Sequence, residues 1–204
     1  MKASIGEIWY ERPGKPVSSS SLLLKLLFTS EPLSIRVHPD DAYAQLMGLP
    51  NGKTEAWYVL SAVPGAKVAL GLKQRLTQQQ LREAVHDGSI SDLVVWQTVL
   101  PDDVIFVPAG TIHAIGAGLV IAEIQQRSDA TFRLFDHGRQ RELHIESAIA
   151  VADAGAARFR VRPTGSRTNG RFSSPTPTSC SSGSIWRKTP LGVWRLSEKP
   201  GFSF

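Results

Sequence analysis

The chain has 204 residues, 42 % of them hydrophobic and 20 % charged, with a formal net charge of +5. A mean hydropathy of −0.10 excludes a chain disordered throughout and leaves enough apolar residues for a packed core. The positive charge is concentrated: nine lysines and arginines lie between Arg158 and Lys199, where Glu198 is the one acid. The body before that segment is close to neutral and carries neither zinc-finger spacing nor an aromatic–basic RNA-binding pattern. The pI near 9.6 is therefore a property of the tail and no argument for a nucleic-acid partner. A single cysteine, Cys180, rules out an internal disulfide framework and suits a reducing cytoplasm. The longest apolar run, Leu22 to Phe28, is broken by Lys25 and too short to span a bilayer, and no leader with a cleavage site is visible. A soluble, cytoplasmic protein without a membrane partner is expected; the residues leave its oligomeric state open.

In chain order, Ile5 to Tyr10 reads as a strand and Pro13 to Ser20 as a loop. Leu22 to Thr29 and Leu33 to His38 read as strands parted by a turn at Glu31-Pro32. Asp40 or Asp41 is placed to cap a short helix running to Met47. After a turn-rich stretch, Glu55 to Ala62 and Ala66 to Leu72 are expected to form a hairpin around Pro64-Gly65. Thr77 opens a helix with Leu76, Leu81 and Val85 on its apolar side, and Gly88 stops it. Leu93 to Leu100 is a further strand, and Ile145 to Ala152 a short helix. Many short strands, Gly/Pro turns and small helices predict a β-sandwich or small jelly roll, which holds ligands between its sheets.

The informative stretch runs from Asp103 to Arg139. An apolar strand ends at Pro108-Ala109-Gly110, and the next strand carries a single histidine, His113. Two runs with polar residues at alternate positions follow, Leu119 to Gln126 and Ala130 to Phe135. Period-two alternation places Ile121, Glu123, Gln125 and Arg127 on one face, and Thr131, Arg133 and Phe135 on one face of the next run. A carboxylate and an arginine directed from neighbouring strands toward a histidine describe the wall of a polar cavity. His38, Glu55 and His113 are of the residue types that bind zinc, and three protein ligands with an open position are the catalytic pattern. They lie on separate strands, so spacing alone does not bring them together. His86, His137 and His144 are read as structural, and Trp57 and Tyr58 as core and rim.

Four blocks carry a resemblance. Leu33-Ser34-Ile35-Arg36-Val37-His38-Pro39-Asp40-Asp41, then Gly52-Lys53-Thr54-Glu55, then VPAGTIHAI and IAEIQQRSDATFRLFDHGR, in this order and spacing, resemble the signature blocks of the type I phosphomannose isomerases. The resemblance covers roughly Ile5 to Asp153. It implies a mostly β, cupin-type jelly-roll β-sandwich with a few short helices over residues 1–155. It also implies interconversion of mannose 6-phosphate and fructose 6-phosphate through an enediol. The implied metal is one Zn2+, held by His38, Glu55 and His113. Arg133 takes the place of the active-site arginine, Lys53, Glu123 and Arg139 the lining of the sugar-phosphate pocket, and Ser34 a contact to phosphate. For the general base, Glu123 is the candidate and a metal-bound water the alternative.

Three features depart from that pattern. Where the family has a glutamine as a fourth metal ligand, this chain has Arg36, which shares a strand face with His38 and has no lone pair for a metal. The lead-in before Ile5 is missing the family's Lys-Pro-Trp-Gly-like segment. Residues 156–204, rich in Ser, Thr, Pro and Arg, do not read as the family's second cupin-like half. A shifted reading frame is the expectation there: codons for Ile185 to Thr189, read two bases later, can give Leu-Ala-Glu-Asn-Ser. The alternative to an active isomerase is a catalytically impaired cupin that binds a sugar phosphate or metal without turnover. A metal-dependent oxygenase is disfavoured, because its ligands cluster in one block.

Overall fold

The computed structural model describes residues 6–11 and 20–155, and the strands at 162–163, 184–188 and 194–198. Two antiparallel sheets face each other, as expected of a sandwich. The first is ordered β1 (Glu7–Tyr10), β2 (Leu22–Thr29), β9 (Leu119–Gln126), β4 (Glu55–Ala62), β7 (Asp103–Val107) and β11 (Arg162–Pro163). The second is ordered β10 (Phe132–Phe135), β3 (Ile35–Val37), β8 (His113–Ile115), β5 (Lys67–Leu72) and β6 (Val94–Thr98). Among the described residues four helices accompany them: α1 (Asp41–Leu46), α2 (Gln78–His86), α3 (Ile90–Leu93) and α4 (Ile145–Val151). Beyond residue 163, β12 (Ser184–Lys188) and β13 (Trp194–Glu198) pair antiparallel. The expected loop at Pro13 to Ser20 and most of the tail lie outside the described residues. No described helix is long and apolar enough to cross a membrane.

The two sheets are covered differently, and this decides which sequence patterns are legible. The first sheet has one face to solvent, so β2 and β9 alternate buried and exposed positions along eight residues each. The second is covered on both faces. Ile35, Val37, Ala69, Phe132 and Leu134 point outward into a core closed by Leu81, Val85, Ile90 and Ile149 from the helices. Consequently β5 is buried at Val68 to Leu72 without alternation. Between the sheets, Leu27, Trp57, Val59, Leu70, Ile105 and Ile121 form a second apolar cluster, which closes one end of the sandwich.

Thr77 caps α2 through a reciprocal box: its hydroxyl accepts from the Gln80 N–H at 3.2 Å, and Gln80 Oε1 accepts from the Thr77 N–H at 2.9 Å. Asp40 caps α1 by accepting from the Tyr43 N–H at 2.8 Å. The expected hairpin of Glu55 to Leu72 does not form. The turn at Pro64-Gly65 is present, with the Ala66 N–H donating to Val63 O at 3.0 Å, but it carries the chain from one sheet to the other. β4 pairs with β9 and β7, while β5 pairs with β8 and β6. An eight-residue β4 finds its full-length partner in β9, a pairing no local turn signal announces. The strand expected from Leu93 begins one residue later, because Ile90–Leu93 close a helical turn first.

Candidate active site

Beside the apolar cluster between the sheets, whose Leu27, Trp57 and Ile115 form part of its wall, the inner faces of both sheets enclose a cavity of ≈ 330 Å³. Its residues come together because three loop segments are laced to one another. The Gly110 N–H donates to His38 O at 2.8 Å, the Lys53 N–H to Pro39 O at 2.9 Å, and the Ala109 N–H to the Thr54 hydroxyl at 3.2 Å. The Gly52 N–H donates to Asp41 Oδ1 at 2.7 Å. Gly52 is required by this approach: a Cβ there would lie 2.4 Å from Asp40 C and 2.6 Å from Pro39 O, both backbone atoms. Gly52→Ala is expected to cost at least the upper end of the overpacking range, about 3 kcal/mol, in thermal or denaturant unfolding. It should also weaken metal retention, because it pushes Lys53 and Glu55 away from His38.

His38, Glu55 and His113 converge with one potential ligand atom from each within 4.8 Å of the others. His38 Nε2 is 3.2 Å from Glu55 Oε1, and His113 Nε2 is 3.9 Å from Glu55 Oε2. The other ring nitrogens fix the tautomers. His38 Nδ1 faces Ala130 O and His113 Nδ1 faces Thr111 O, each at 2.9 Å; a carbonyl only accepts, so each Nδ1 donates and each Nε2 is left as a lone pair. Burial drives the His38 imidazole below its ordinary pKa and His113 to about 3, so both rings are neutral. Burial alone would push the Glu55 carboxyl up. Any positive charge on His38 or His113, and the Lys53 ammonium at 3.5 Å, outweigh that and hold it well below the carboxylate range. Two neutral imidazoles and an ionised carboxylate facing one another are three acceptors without a donor between them, a donor set that fits a divalent cation. Trp57 Nε1 donates to Glu55 Oε2 at 3.0 Å and orients the carboxylate, a job its reading as core and rim did not anticipate.

Glu123 lines the same cavity from β9, buried, with Lys25 Nζ 3.9 Å from its Oε1. Burial and the Glu55 carboxylate push its pKa up to about 7, against the pull of Lys53 and Lys25. Lys53 Nζ lies 3.5 Å from Glu55 Oε1 and donates to the Thr131 hydroxyl at 3.3 Å. Arg133 reaches the cavity from β10, with Nη1 donating to Glu142 O at 2.8 Å. Its backbone is held by His144: the Arg133 N–H donates to His144 Nδ1 at 3.3 Å and the His144 N–H to Arg133 O at 2.9 Å. Arg36 lines the cavity beside His38, as the strand alternation requires.

Comparisons with known proteins bear on the fold and the family likeness. No family model matches the chain. A mannose-6-phosphate isomerase of Streptococcus mutans is 42 % identical over 140 residues, which is 66 % of this chain and 44 % of the relative. One from Bacillus subtilis is 37 % identical over 139 residues, 65 % of this chain and 44 % of the relative. The crystal structure of the mannose 6-phosphate isomerase from Bacillus subtilis superposes with a TM-score of 0.64 at 35 % identity, covering 72 % of this chain and 49 % of that one. The chain resembles the phosphomannose isomerases. Its mostly β sandwich matches their cupin-type fold, and it spans about half the length of the curated mannose-6-phosphate isomerases it matches.

Against the lining that the phosphomannose isomerase likeness implied, two residues are placed elsewhere. Ser34 is fully buried, absent from the cavity wall, and its hydroxyl has no hydrogen-bond partner among the described residues. It stands just before β3 with the strand parity of Arg36 and His38, but its side chain is closed off from the cavity in this conformation. Arg139 also stands off the cavity. The turn through His137 (φ 51°) and Gly138 (φ 79°) sends its guanidinium to Asp136 at 3.1 Å, Glu31 at 3.4 Å and Pro32 O at 2.9 Å. Arg141 lines the cavity instead, with Nε donating to Asp136 Oδ2 at 2.8 Å. Phe135 leaves the face of Thr131 and Arg133 because the β3–β10 register shifts after Arg133. Lys25 and Trp9, with the ammonium 4.3 Å above the indole ring, are wall residues that the sequence reading passed over. Lys25 had a signal: it falls in the buried series Leu23, Lys25, Leu27, Thr29.

Proposed function

We propose that the domain formed by residues 1–155 is a zinc-dependent aldose–ketose isomerase interconverting mannose 6-phosphate and fructose 6-phosphate. Residues 156–204 are then a separate tail. The observation that carries this reading is the meeting, in one cavity, of an ionised Glu55 flanked by two neutral imidazoles with a second carboxyl, Glu123, held near pKa 7. The names of the relatives supply the substrate. His38, Glu55 and His113 would hold one zinc ion. When bound, zinc supplies a Lewis acid that polarises the sugar carbonyl and stabilises charge developing on its oxygen. Glu123 takes the proton from C2 of the aldose, leaving an enediolate with its charge on O1; the O2 proton passes to O1, and Glu123 returns its proton to C1 to give the ketose. A carboxyl poised near 7 serves in both directions, as base and as acid. Lys25 beside Glu123 stabilises its ionised form, and Arg133 contributes fixed positive charge to the sugar oxygens or phosphate. The single cysteine supports a cytoplasmic setting, and the near-neutral body supports a small-molecule partner over a nucleic acid.

The test is interconversion of the two sugar phosphates by purified protein. Turnover is expected with zinc, abolished by a chelator and restored by zinc added back. No turnover under any of these conditions overturns the isomerase reading. A second reading, binding without turnover, is favoured by one observation: Arg36 occupies the cavity beside His38, and its guanidinium brings positive charge where a cation would sit. Turnover absent from the parent chain but gained by Arg36→Gln would select it.

A further inference from the structure

Across the second sheet, Arg133, Arg36 and His113 form one row: Arg133 pairs directly with Arg36, and Arg36 with His113. Directly opposed residues on neighbouring strands share a face with Cβ atoms about 5 Å apart, and like charges there are destabilising. Both arginines nonetheless line the cavity. Among the described residues each guanidinium makes a single hydrogen bond, to a main-chain carbonyl: Arg36 Nε donates to Ser34 O at 3.2 Å, and Arg133 Nη1 to Glu142 O at 2.8 Å. Among the described residues neither has a carboxylate within 4.0 Å, whereas Lys25, Lys53 and Arg141 each do. The Nε of Arg133 is buried with no partner at all. Two opposed guanidinium groups with most of their donors unused, one of them with an orphaned buried N–H, are incomplete without an anion.

We infer that Arg36 and Arg133 form a two-arginine clamp for the phosphate of a phosphate monoester, one that works without metal. Guanidinium forks match the oxygens of a phosphate, and two of them can share one dianion whose charge removes their mutual repulsion. The clamp lies one and two strands away from His113, so an anion held there leaves the rest of the ligand extending toward His38, Glu55 and His113. Arg36 is then a gain of an anion contact at a position from which no metal ligand can be made. The inference deepens the proposed function by naming how this chain holds its substrate, and it stands or falls separately from turnover.

The experiment is calorimetric titration of chelator-treated full-length chain with inorganic phosphate, mannose 6-phosphate and unphosphorylated mannose. Phosphate and the phosphorylated sugar are expected to bind and mannose not to. Arg36→Gln should weaken both phosphate ligands about 10- to 100-fold, the loss of one charge-assisted pair. Arg36→Lys, which keeps the charge but not the fork, should fall between the two. Arg133→Lys should weaken phosphate as Arg36→Lys does, which tests the clamp from its other side should the glutamine variant not fold. Zinc affinity should move the opposite way in Arg36→Gln, because a positive charge leaves the metal's neighbourhood. Phosphate binding that is undetectable in the parent chain, or equal in parent and Arg36→Gln, overturns the clamp. Arg36-dependent phosphate binding in a chain that never turns over would sustain it while the isomerase reading fails.

Discussion

Glu55→Gln is expected to cost more than about 100-fold in zinc affinity and to abolish isomerase turnover, with the sandwich still folded. Changes to groups that only orient a ligand already cost 10- to 100-fold, and Glu55 is the one charged member of the set. Its two oxygens face His38 and His113 at 3.2 and 3.9 Å. Glutamine preserves the shape and one acceptor for Trp57 Nε1, but its amide nitrogen has no lone pair for a metal. The substitution also leaves Lys53 buried without its carboxylate, so the melting temperature should fall in the metal-free chain too. Zinc content after dialysis, near-UV circular dichroism and the sugar-phosphate assay read the three effects separately. Retained zinc in a folded, inactive variant would move the metal away from these residues.

What the residues disclose about this molecule depends on how each sheet is covered. Strands of the half-solvated sheet announce themselves by alternation, and β2, β4 and β9 begin and end where that pattern places them. In the second sheet β5 and β8 are buried on both faces and carry no alternation, and β3, β8 and β10 are three or four residues long. There only the chemistry-bearing residues stand out: His113 and Arg133 against apolar neighbours. Strand partners were the least legible feature. Pro64-Gly65 turns the chain as a hairpin would, but choosing β9 over β5 as the mate of β4 is a long-range decision. The same distinction governs the site. His38, Glu55 and His113 were recoverable as types and by resemblance, yet the lacing of Pro39, Gly52 and Gly110 that brings them together is backbone geometry. Lys25 was hidden by its apolar neighbours, read as a break in a greasy run when it was the polar member of a buried face. Arg139 and Ser34 stand off the cavity wall, and for Arg139 the reason is local: a positive-φ turn sends its guanidinium to Asp136 and Glu31.

Glu123→Gln is expected to lower kcat by about 10²- to 10⁴-fold, the range for losing a positioned general base, with KM and zinc content little changed. The amide keeps the size of the side chain and cannot accept the C2 proton. The pH profile follows from the sign of the shift. Glu123 sits at about 7, above the ordinary 4.5, because burial and Glu55 disfavour its charge. The ionised base therefore forms only as pH rises through that value, and turnover should climb through near-neutral pH and level off above it. Zinc adds positive charge to the same cavity and favours the carboxylate, so the loaded enzyme's limb lies below the value found by NMR titration of the metal-free chain. Lys25 acts in the same direction as zinc: its ammonium, 3.9 Å away, favours the charged carboxylate. Lys25→Met should then move the limb to higher pH and leave the plateau rate less affected than the Glu123 variant does. A Glu123→Gln enzyme retaining more than a tenth of the parent rate, or a limb indifferent to Lys25→Met, would assign proton transfer to another group. The two substitutions together separate a base from a merely buried acid, because a carboxyl that only pairs with Lys25 would alter stability without moving a pH–rate limb.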